Sequence, residues 1–319
     1  MPELNVVKHL IIAGTNKSGT TAVFRYLGDH PEVVLSKFKE AAFFLTPPEE
    51  RDGDAREAYL AQFLERRPGS TLFVEATPQY LPGGQRITQR IAAVLPDARI
   101  LFVLRNPTDR VVSYFRSSYG QPQLPTYGIG FEQFVDEAIA AMQVDAADVD
   151  QLPYRQQAFR QELRISCYGD FLPHFVDQFG ASNVLVTYFD QLQDSPRELM
   201  RQVSTFAEID PDIYDDFVFH VENKTRIHRS TALRSVSGAL NSGLEPLLNR
   251  FPGLRRAARS IYDFINVPGG QDIEIPDASR QRLEDFFAPR NAELADWMRS
   301  TYPDNDFPPW PTEPGTTQR

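Results

Sequence analysis

Four short apolar runs, each followed by turn residues and then by a helix-like stretch, constrain the fold of this chain more than any other feature. The runs cover residues 10–13, 71–74, 99–104 and 184–188. Strands that alternate with helices form a largely parallel sheet covered by helices. The pattern therefore predicts an α/β fold in which a central parallel sheet is flanked by helices. Residues 151–179 predict a long helical region, interrupted around Gly169 or Pro173.

Length and composition fit a globular protein. The chain has 319 residues, of which 41% are hydrophobic and 24% charged, and it contains 23 Phe and 12 Tyr. This composition excludes global disorder and indicates an aromatic-rich interior or cleft. Because no shift in composition divides the chain, we expect a single domain over residues 1–307. Residues 308–319, rich in Pro and Thr, are expected to form a flexible tail.

The charge and the cysteine content limit the partners and the compartment. A formal net charge of −10 repels polyanions and argues against non-specific binding of nucleic acid. The only cysteine, Cys167, cannot form an internal disulfide. Residues 10–13 follow no basic region, unlike a signal peptide or membrane anchor. We therefore expect a soluble cytoplasmic protein without a membrane partner, and the oligomeric state is left open.

The most specific motif is the segment GTNKSGTT at residues 14–21, which lies between the first predicted strand and a helix. Its glycines let backbone amides point inward, and the helix N-terminus adds partial positive charge, so the segment can bind a phosphate group. Its glycine spacing matches an ATP-type P-loop, but Thr20 stands where that loop needs lysine. The lysine is Lys17, in mid-loop, nearer to a shorter phosphosulfate than to β and γ phosphates. We call residues 14–21 the phosphate loop.

A second motif follows the strand predicted over residues 99–104. Arg105 stands at the carboxyl end of this strand, and Asn106 with Pro107 predicts the start of a helix. Ser113 lies about two turns into that helix, on the same broad face as Arg110. An arginine and a hydroxyl near a helix start suit a second phosphate group. Alone, the motif fits a salt-bridged helix start equally well. Positive charge also concentrates in residues 224–229 and 250–259, where an anionic ligand could be held.

Together the two motifs resemble the 5′-phosphosulfate loop and the 3′-phosphate motif of sulfotransferases that use 3′-phosphoadenosine 5′-phosphosulfate (PAPS). The resemblance implies a P-loop-like fold, PAPS as donor and adenosine 3′,5′-bisphosphate as product. It implies that Arg105 and Ser113 hold the 3′-phosphate. It assigns the phosphosulfate to residues of the phosphate loop: Lys17, Thr20 and Thr21, with Gly14, Ser18 and Gly19 completing the binding loop. No Cys/His cluster has metal-ligand spacing, so we expect no metal.

A third motif, KEAAFF at residues 39–44, is similar to the segment in which heparan-sulfate-type sulfotransferases keep their catalytic glutamate. The chain thus resembles a bacterial-like soluble member of that branch, with Glu40 as general base and Lys17 stabilising the leaving phosphate. Residues 75–80 resemble the acceptor-side segment of the family. Ala42 and Ala76 stand where some members have histidine and lysine, which weakens any transfer of polysaccharide specificity.

The expected function is in-line transfer of a sulfuryl group from PAPS to a hydroxyl or amino group. The acceptor is a carbohydrate or a small molecule such as a natural product. Two alternatives are a P-loop nucleotide kinase or NTPase and a nucleotide-binding module without catalysis. The missing lysine after Gly19 disfavours the first, and the presence of both Lys17 and Glu40 disfavours the second.

Overall fold

The structure is a computed structural model that describes residues 8–47, 53–219, 273–308 and 310–315. The described strands are β1 (Lys8–Gly14), β2 (Val33–Leu35), β3 (Leu72–Ala76), β4 (Arg99–Leu104) and β5 (Val184–Tyr188). The described α-helices are α1 (Thr20–Gly28), α2 (Ala55–Leu60), α3 (Gly84–Val94), α4 (Pro107–Ser118), α5 (Phe131–Met142), α6 (Tyr154–Ile165), α7 (Leu172–Phe179), α8 (Phe189–Asp194), α9 (Pro196–Ala207) and α10 (Asp277–Thr301). Short 3₁₀ helices include Phe43–Leu45, Pro78–Gly83 and Tyr168–Asp170.

The five strands form one parallel sheet in the order β2-β3-β1-β4-β5. β1 lies at the centre, and its Ile11 pairs with Glu75 of β3 and with Ile100 of β4. The chain completes one side of β1 with β2 and β3 before it builds the other side with β4 and β5. In open α/β sheets, ligands bind at the carboxyl ends of the strands, where this change of side occurs. The α/β class and the parallel sheet predicted from the sequence are confirmed.

Alternate residues of the central strands pack on opposite faces of the sheet, as strand geometry requires. On one face, Ile11 of β1 and Phe102 of β4 are fully buried in a cluster that includes residues of α3, α7 and α10. On the other face, Leu10 and Ile12 pack with residues of α1 and α9. A third cluster joins α4, α5, α6 and α10 beside the sheet. Helices therefore cover both faces, and the strand ends stay available for a site.

The structure also shows two differences from the predicted elements. β2 was not predicted, and it extends the sheet by pairing with β3. The long helical region over residues 151–179 is divided, because α6 ends at Ile165 and α7 begins only at Leu172. Among the described residues, no helix has both the length and the apolar character that crossing a membrane requires.

Candidate active site

The phosphate loop connects the carboxyl end of the central strand β1 to α1, and its glycines meet close neighbours. A Cβ atom at Gly14 would lie 3.0 Å from the Leu81 Cβ. Gly19 has a φ of +82°, and a Cβ atom there would lie 2.4 Å from the Leu192 Cδ2. Gly19 therefore combines a left-handed backbone with a contact that leaves no room for a side chain. These contacts explain why the loop has glycine at positions 14 and 19.

Buried hydroxyl groups line the phosphate loop. Thr15 and Ser18 are fully buried, and their hydroxyls have no hydrogen-bond partner among the described residues. Thr20, the first residue of α1, is also buried, whereas Thr21 is only partly buried. A buried hydroxyl without a partner costs about 1–3 kcal/mol, and oxygens of a phosphate group can accept its hydrogen bond. The loop therefore fits an anionic phosphate ligand chemically.

Lys17 supplies positive charge in the middle of this loop. Its φ is 66°, a left-handed conformation that is uncommon outside glycine. Burial lowers the pKa of Lys17, the nearby Arg105 and Arg110 lower it further, and Glu162 raises it. Lys17 forms no ion pair with any residue that the structure describes. Of Lys17, Arg105 and Arg110, only Arg110 forms an ion pair within the described part of the chain, with Glu162. The remaining positive charge is suited to binding a polyanionic nucleotide.

Arg105 lies immediately after β4, next to the phosphate loop. Its Nη1 donates to the Lys17 carbonyl oxygen at 3.0 Å, and its guanidinium carbon is 4.4 Å from the centre of the Phe189 ring. The Tyr168 hydroxyl donates to the Arg105 carbonyl oxygen at 2.8 Å. The structure thus brings Arg105 and the loop together. Ser113 is partly buried two turns into α4 and makes no hydrogen bond with Arg105 or with the loop.

Arg110 has a larger role than the sequence suggested. It is fully buried on α4, and its Nη1 donates to the Asn16 Oδ1 at 2.8 Å and to the Glu162 Oε2 at 3.2 Å. Its Nε donates to the Ser166 Oγ at 2.5 Å. Arg110 therefore ties the phosphate loop to α4 and α6. The available signal was that Arg110 shares a broad face of the helix with Ser113, which predicted proximity to the site but not burial.

Glu40 lies beyond β2, on a segment that returns to the carboxyl end of β3. Its backbone N–H donates to the Ala76 carbonyl oxygen at 2.8 Å, and its side chain is 44% exposed. Lys39 Nζ donates to the Glu40 Oε1 at 2.7 Å, and Gln79 Nε2 donates to the Oε2 at 3.1 Å. Partial burial raises the pKa of Glu40, but the contacts with Lys39 and Gln79 outweigh it and the net pKa is lowered. Glu40 is therefore ionised at neutral pH.

The phosphate loop, Glu40 and Arg105 thus lie at the carboxyl ends of β1, β3 and β4, which are neighbouring parallel strands. Within the described ranges, no group of three or more His, Cys, Asp and Glu side chains could hold a metal ion. Residues 224–229 and 250–259, where the sequence concentrates positive charge, lie outside the described residues.

The comparisons with known proteins agree with this arrangement. A family model described as "Sulfotransferase domain" matches residues 86–241, and a solved sulfotransferase from Alicyclobacillus acidocaldarius is similar with a TM-score of 0.51 and 26% identity, over 77% of this chain and 95% of that chain. The resemblance to sulfotransferases that the sequence motifs predicted is confirmed by these two matches.

Heparan sulfate enzymes are among the curated relatives to which this chain is similar. The chain is 24% identical over 211 residues to the bifunctional heparan sulfate N-deacetylase/N-sulfotransferase 1 of Xenopus tropicalis, a match that covers 63% of this chain and 22% of that protein. It is 25% identical over 217 residues to the heparan sulfate glucosamine 3-O-sulfotransferase 3B1 of Homo sapiens, a match that covers 68% of this chain and 49% of that protein. The chain therefore spans about a fifth of the first relative and about half of the second.

Proposed function

We propose that this chain transfers a sulfuryl group from PAPS to a hydroxyl or amino group of a carbohydrate or small-molecule acceptor. The hydrogen bond from Arg105 to the Lys17 carbonyl oxygen carries the proposal. It joins the two sequence motifs, expected to bind the 5′-phosphosulfate and the 3′-phosphate, into one site. The matches to the sulfotransferase family model and to a solved sulfotransferase support the same reaction and disfavour a nucleotide kinase or NTPase.

The roles of the donor-binding residues follow from their charges and positions. PAPS, when bound, supplies a sulfuryl group attached to a phosphate that can leave. Lys17 and the amides of the phosphate loop hold positive charge where the departing oxygen becomes negative. Arg105, assisted by Ser113, holds the 3′-phosphate as a charged hydrogen-bond donor. Arg110 keeps Asn16, and with it the loop, in place.

Glu40 is the proposed general base. It is ionised at neutral pH, which a base requires, and Lys39 and Gln79 fix the orientation of its carboxylate. Each carboxylate oxygen has further lone pairs, so an acceptor hydroxyl or amine can donate to it without displacing these contacts. Removal of the proton as the acceptor oxygen or nitrogen attacks sulfur commonly contributes about 10²–10⁴-fold to the rate.

Two observations bear on the acceptor. The names of the curated relatives favour a carbohydrate. The side chain of Phe38, two residues before Glu40, is 71% exposed, and an exposed ring beside the base suits the face of a sugar or an apolar small molecule. The net charge of −10 and the alanines at positions 42 and 76 make a polyanionic polysaccharide the less favoured carbohydrate.

Nucleotide binding tests the donor assignment. Calorimetry is expected to show that adenosine 3′,5′-bisphosphate binds roughly ten- to a hundredfold more tightly than ATP, because one charged contact to the 3′-phosphate contributes about 1.5–3 kcal/mol. Arg105→Ala is expected to remove most of this preference. Equal affinities for the two nucleotides in the wild-type protein would contradict the assignment.

Transfer itself is tested with radiolabelled PAPS and a fractionated cell extract, followed by mass spectrometry of the labelled product. We expect a sulfated product in one or a few fractions with the wild-type protein, and none with Lys17→Ala. Tight binding of adenosine 3′,5′-bisphosphate without transfer to any fraction would instead support a nucleotide-binding module.

A further inference from the structure

Glu75 is a buried carboxyl group that the proposed mechanism does not use. It lies near the carboxyl end of β3, opposite Ile11 of the central strand, and its side chain is 0% exposed. Burial of a carboxyl group is costly unless hydrogen bonds compensate for the lost water. Glu75 stands one residue before Ala76, whose carbonyl oxygen accepts from the Glu40 N–H. The hydrogen-bond partners of Glu75 therefore lie close to the backbone that carries Glu40.

Two hydroxyl groups connect Glu75 to the segment that carries Glu40. The Thr77 Oγ1 donates to the Glu75 Oε2 at 3.3 Å, and the Tyr80 hydroxyl lies 3.4 Å and 3.3 Å from its two oxygens. The same hydroxyls also accept hydrogen bonds from backbone N–H groups. Thr77 accepts from Ala42 at 3.2 Å, and Tyr80 accepts from Phe44 at 3.1 Å. We call residues 39–45 the Glu40 segment.

The directions of these hydrogen bonds give Glu75 a specific role. A backbone N–H can only donate, so each hydroxyl must turn a lone pair toward the Glu40 segment. Its single proton then points away from that segment, and Glu75 accepts it in both cases. The carboxyl group therefore fixes the orientation of the Thr77 and Tyr80 hydroxyls, although it touches neither Ala42 nor Phe44 itself.

The backbone of the Glu40 segment needs such support. Glu40 has a φ of 63° and Ala42 a φ of 56°. Both are left-handed conformations that residues with a Cβ atom adopt rarely and that persist only where surrounding contacts hold them. The hydrogen bonds of the two hydroxyls, together with the bond from the Glu40 N–H to Ala76, are among the contacts that hold this turn.

We infer that Glu75 is a positioning residue, which holds the general base Glu40 in place through the hydroxyls of Thr77 and Tyr80. The inference rests on the proposed function, because the role of Glu40 belongs to that proposal. Glu75 does not touch Glu40, the acceptor or the nucleotide in this arrangement, and it acts through the backbone of the Glu40 segment.

Amide hydrogen exchange, measured by NMR on the full chain with adenosine 3′,5′-bisphosphate bound, tests the inference without an acceptor. The variant Glu75→Leu removes both acceptor oxygens. We expect the protection of the Glu40, Ala42 and Phe44 amides to fall at least tenfold, although Glu75 contacts none of them. Tyr80→Phe is expected to expose the Phe44 amide more than the Ala42 amide.

The matched control is Tyr214→Phe, which removes a fully buried hydroxyl that donates to the Tyr26 carbonyl at 3.0 Å in a separate cluster. This control should leave the three amides unchanged. If Glu75→Leu does not fold, Glu75→Gln decides at pH 8. At that pH the wild-type carboxyl group is mostly ionised and accepts at both oxygens, whereas the amide nitrogen of glutamine can only donate. Unchanged protection in the folded Glu75 variant would overturn the inference.

Activity separates the two proposals. With an acceptor fraction found by radiolabelled PAPS, the Glu75 variant is expected to lose about tenfold in kcat while its affinity for adenosine 3′,5′-bisphosphate stays within twofold, as expected when general-base catalysis is partly lost. If the wild-type protein binds no nucleotide and transfers no sulfate, the proposed function fails, whatever the exchange data show. If the wild type is active and the Glu75 variant has wild-type kcat, only the positioning role fails.

Discussion

The substitution Glu75→Gln is expected to change how the stability of the fold depends on pH, because it removes a carboxyl group that the fold buries completely. Burial raises the pKa of Glu75 from 4.5 to about 7, and the hydroxyls of Thr77, Tyr80 and Tyr59 counteract that rise in part. In the unfolded chain the carboxyl group is in water and titrates near its ordinary pKa. Glutamine has a similar size and does not titrate.

The sign and size of the effect follow from this difference in pKa. Between about pH 4.5 and pH 7 the folded protein binds one proton more than the unfolded chain, so folding becomes less favourable as the pH rises. The stability that neutral Glu75 contributes is complete below its unfolded pKa and is lost as the pH rises through about 7. The difference between a pKa of 4.5 and one of about 7 corresponds to about 3 kcal/mol as an upper figure.

Urea denaturation followed by circular dichroism at pH 4.5, 6, 7 and 8 measures this effect. Relative to Glu75→Gln, the wild-type protein should lose up to about 3 kcal/mol of unfolding free energy between the lowest and highest pH. Glu65→Gln removes an exposed carboxyl group and serves as control. A difference between wild type and Glu75→Gln that stays constant over this range would refute the reasoning from burial.

Three further outcomes are expected. Glu40→Gln should lower the single-turnover rate of sulfate transfer about a hundredfold or more with nearly unchanged nucleotide affinity, whereas Lys17→Ala should lower both the rate and the affinity. A wild-type rate in Glu40→Gln would place the base elsewhere. Transfer should persist in excess EDTA, and loss of activity that Mg²⁺ restores would favour phosphoryl-transfer chemistry. Arg110→Met should lower the unfolding free energy by about 3 kcal/mol in urea denaturation, because Glu162 would stay buried without its partner; unchanged stability would contradict the structural role of Arg110.

The local part of the fold and of the site could be predicted from the sequence. Apolar runs followed by turns predicted β1, β3, β4 and β5, because buried parallel strands are continuously apolar. Asn106 and Pro107 predicted the start of α4, and the Asn106 side chain does accept from the Asp109 N–H at 3.2 Å. β2 was missed because it has only three residues and follows soon after a proline, a pattern that also fits a turn. Only its pairing with β3 makes it a strand.

The tertiary part of the site could not be predicted in this way. Glu75 and Arg110 are charged residue types that are normally exposed, and sequence alone gives no indication that both are fully buried. Their burial depends on partners far along the chain: Tyr59 near Glu75, and Glu162 beside Arg110. The division between α6 and α7 likewise depends on packing, since Tyr168 turns there to bond the Arg105 carbonyl.

The two helices that begin at the proposed nucleotide site differ in how their first amides are satisfied. The first turn of α4 is capped by its own Asn106. α1 begins after Gly19, which has no side chain, and no side chain caps it. The first amides of a helix need an acceptor, and an anion at that end satisfies them and the helix dipole together. The uncapped helix α1 follows Lys17 and the buried Ser18. Its first amides, the Ser18 hydroxyl and the positive charge of Lys17 therefore lie at the same helix end, where an anion would satisfy them. Arg105 and Arg110 bond the loop at the Lys17 carbonyl and the Asn16 side chain, and so hold these groups in place.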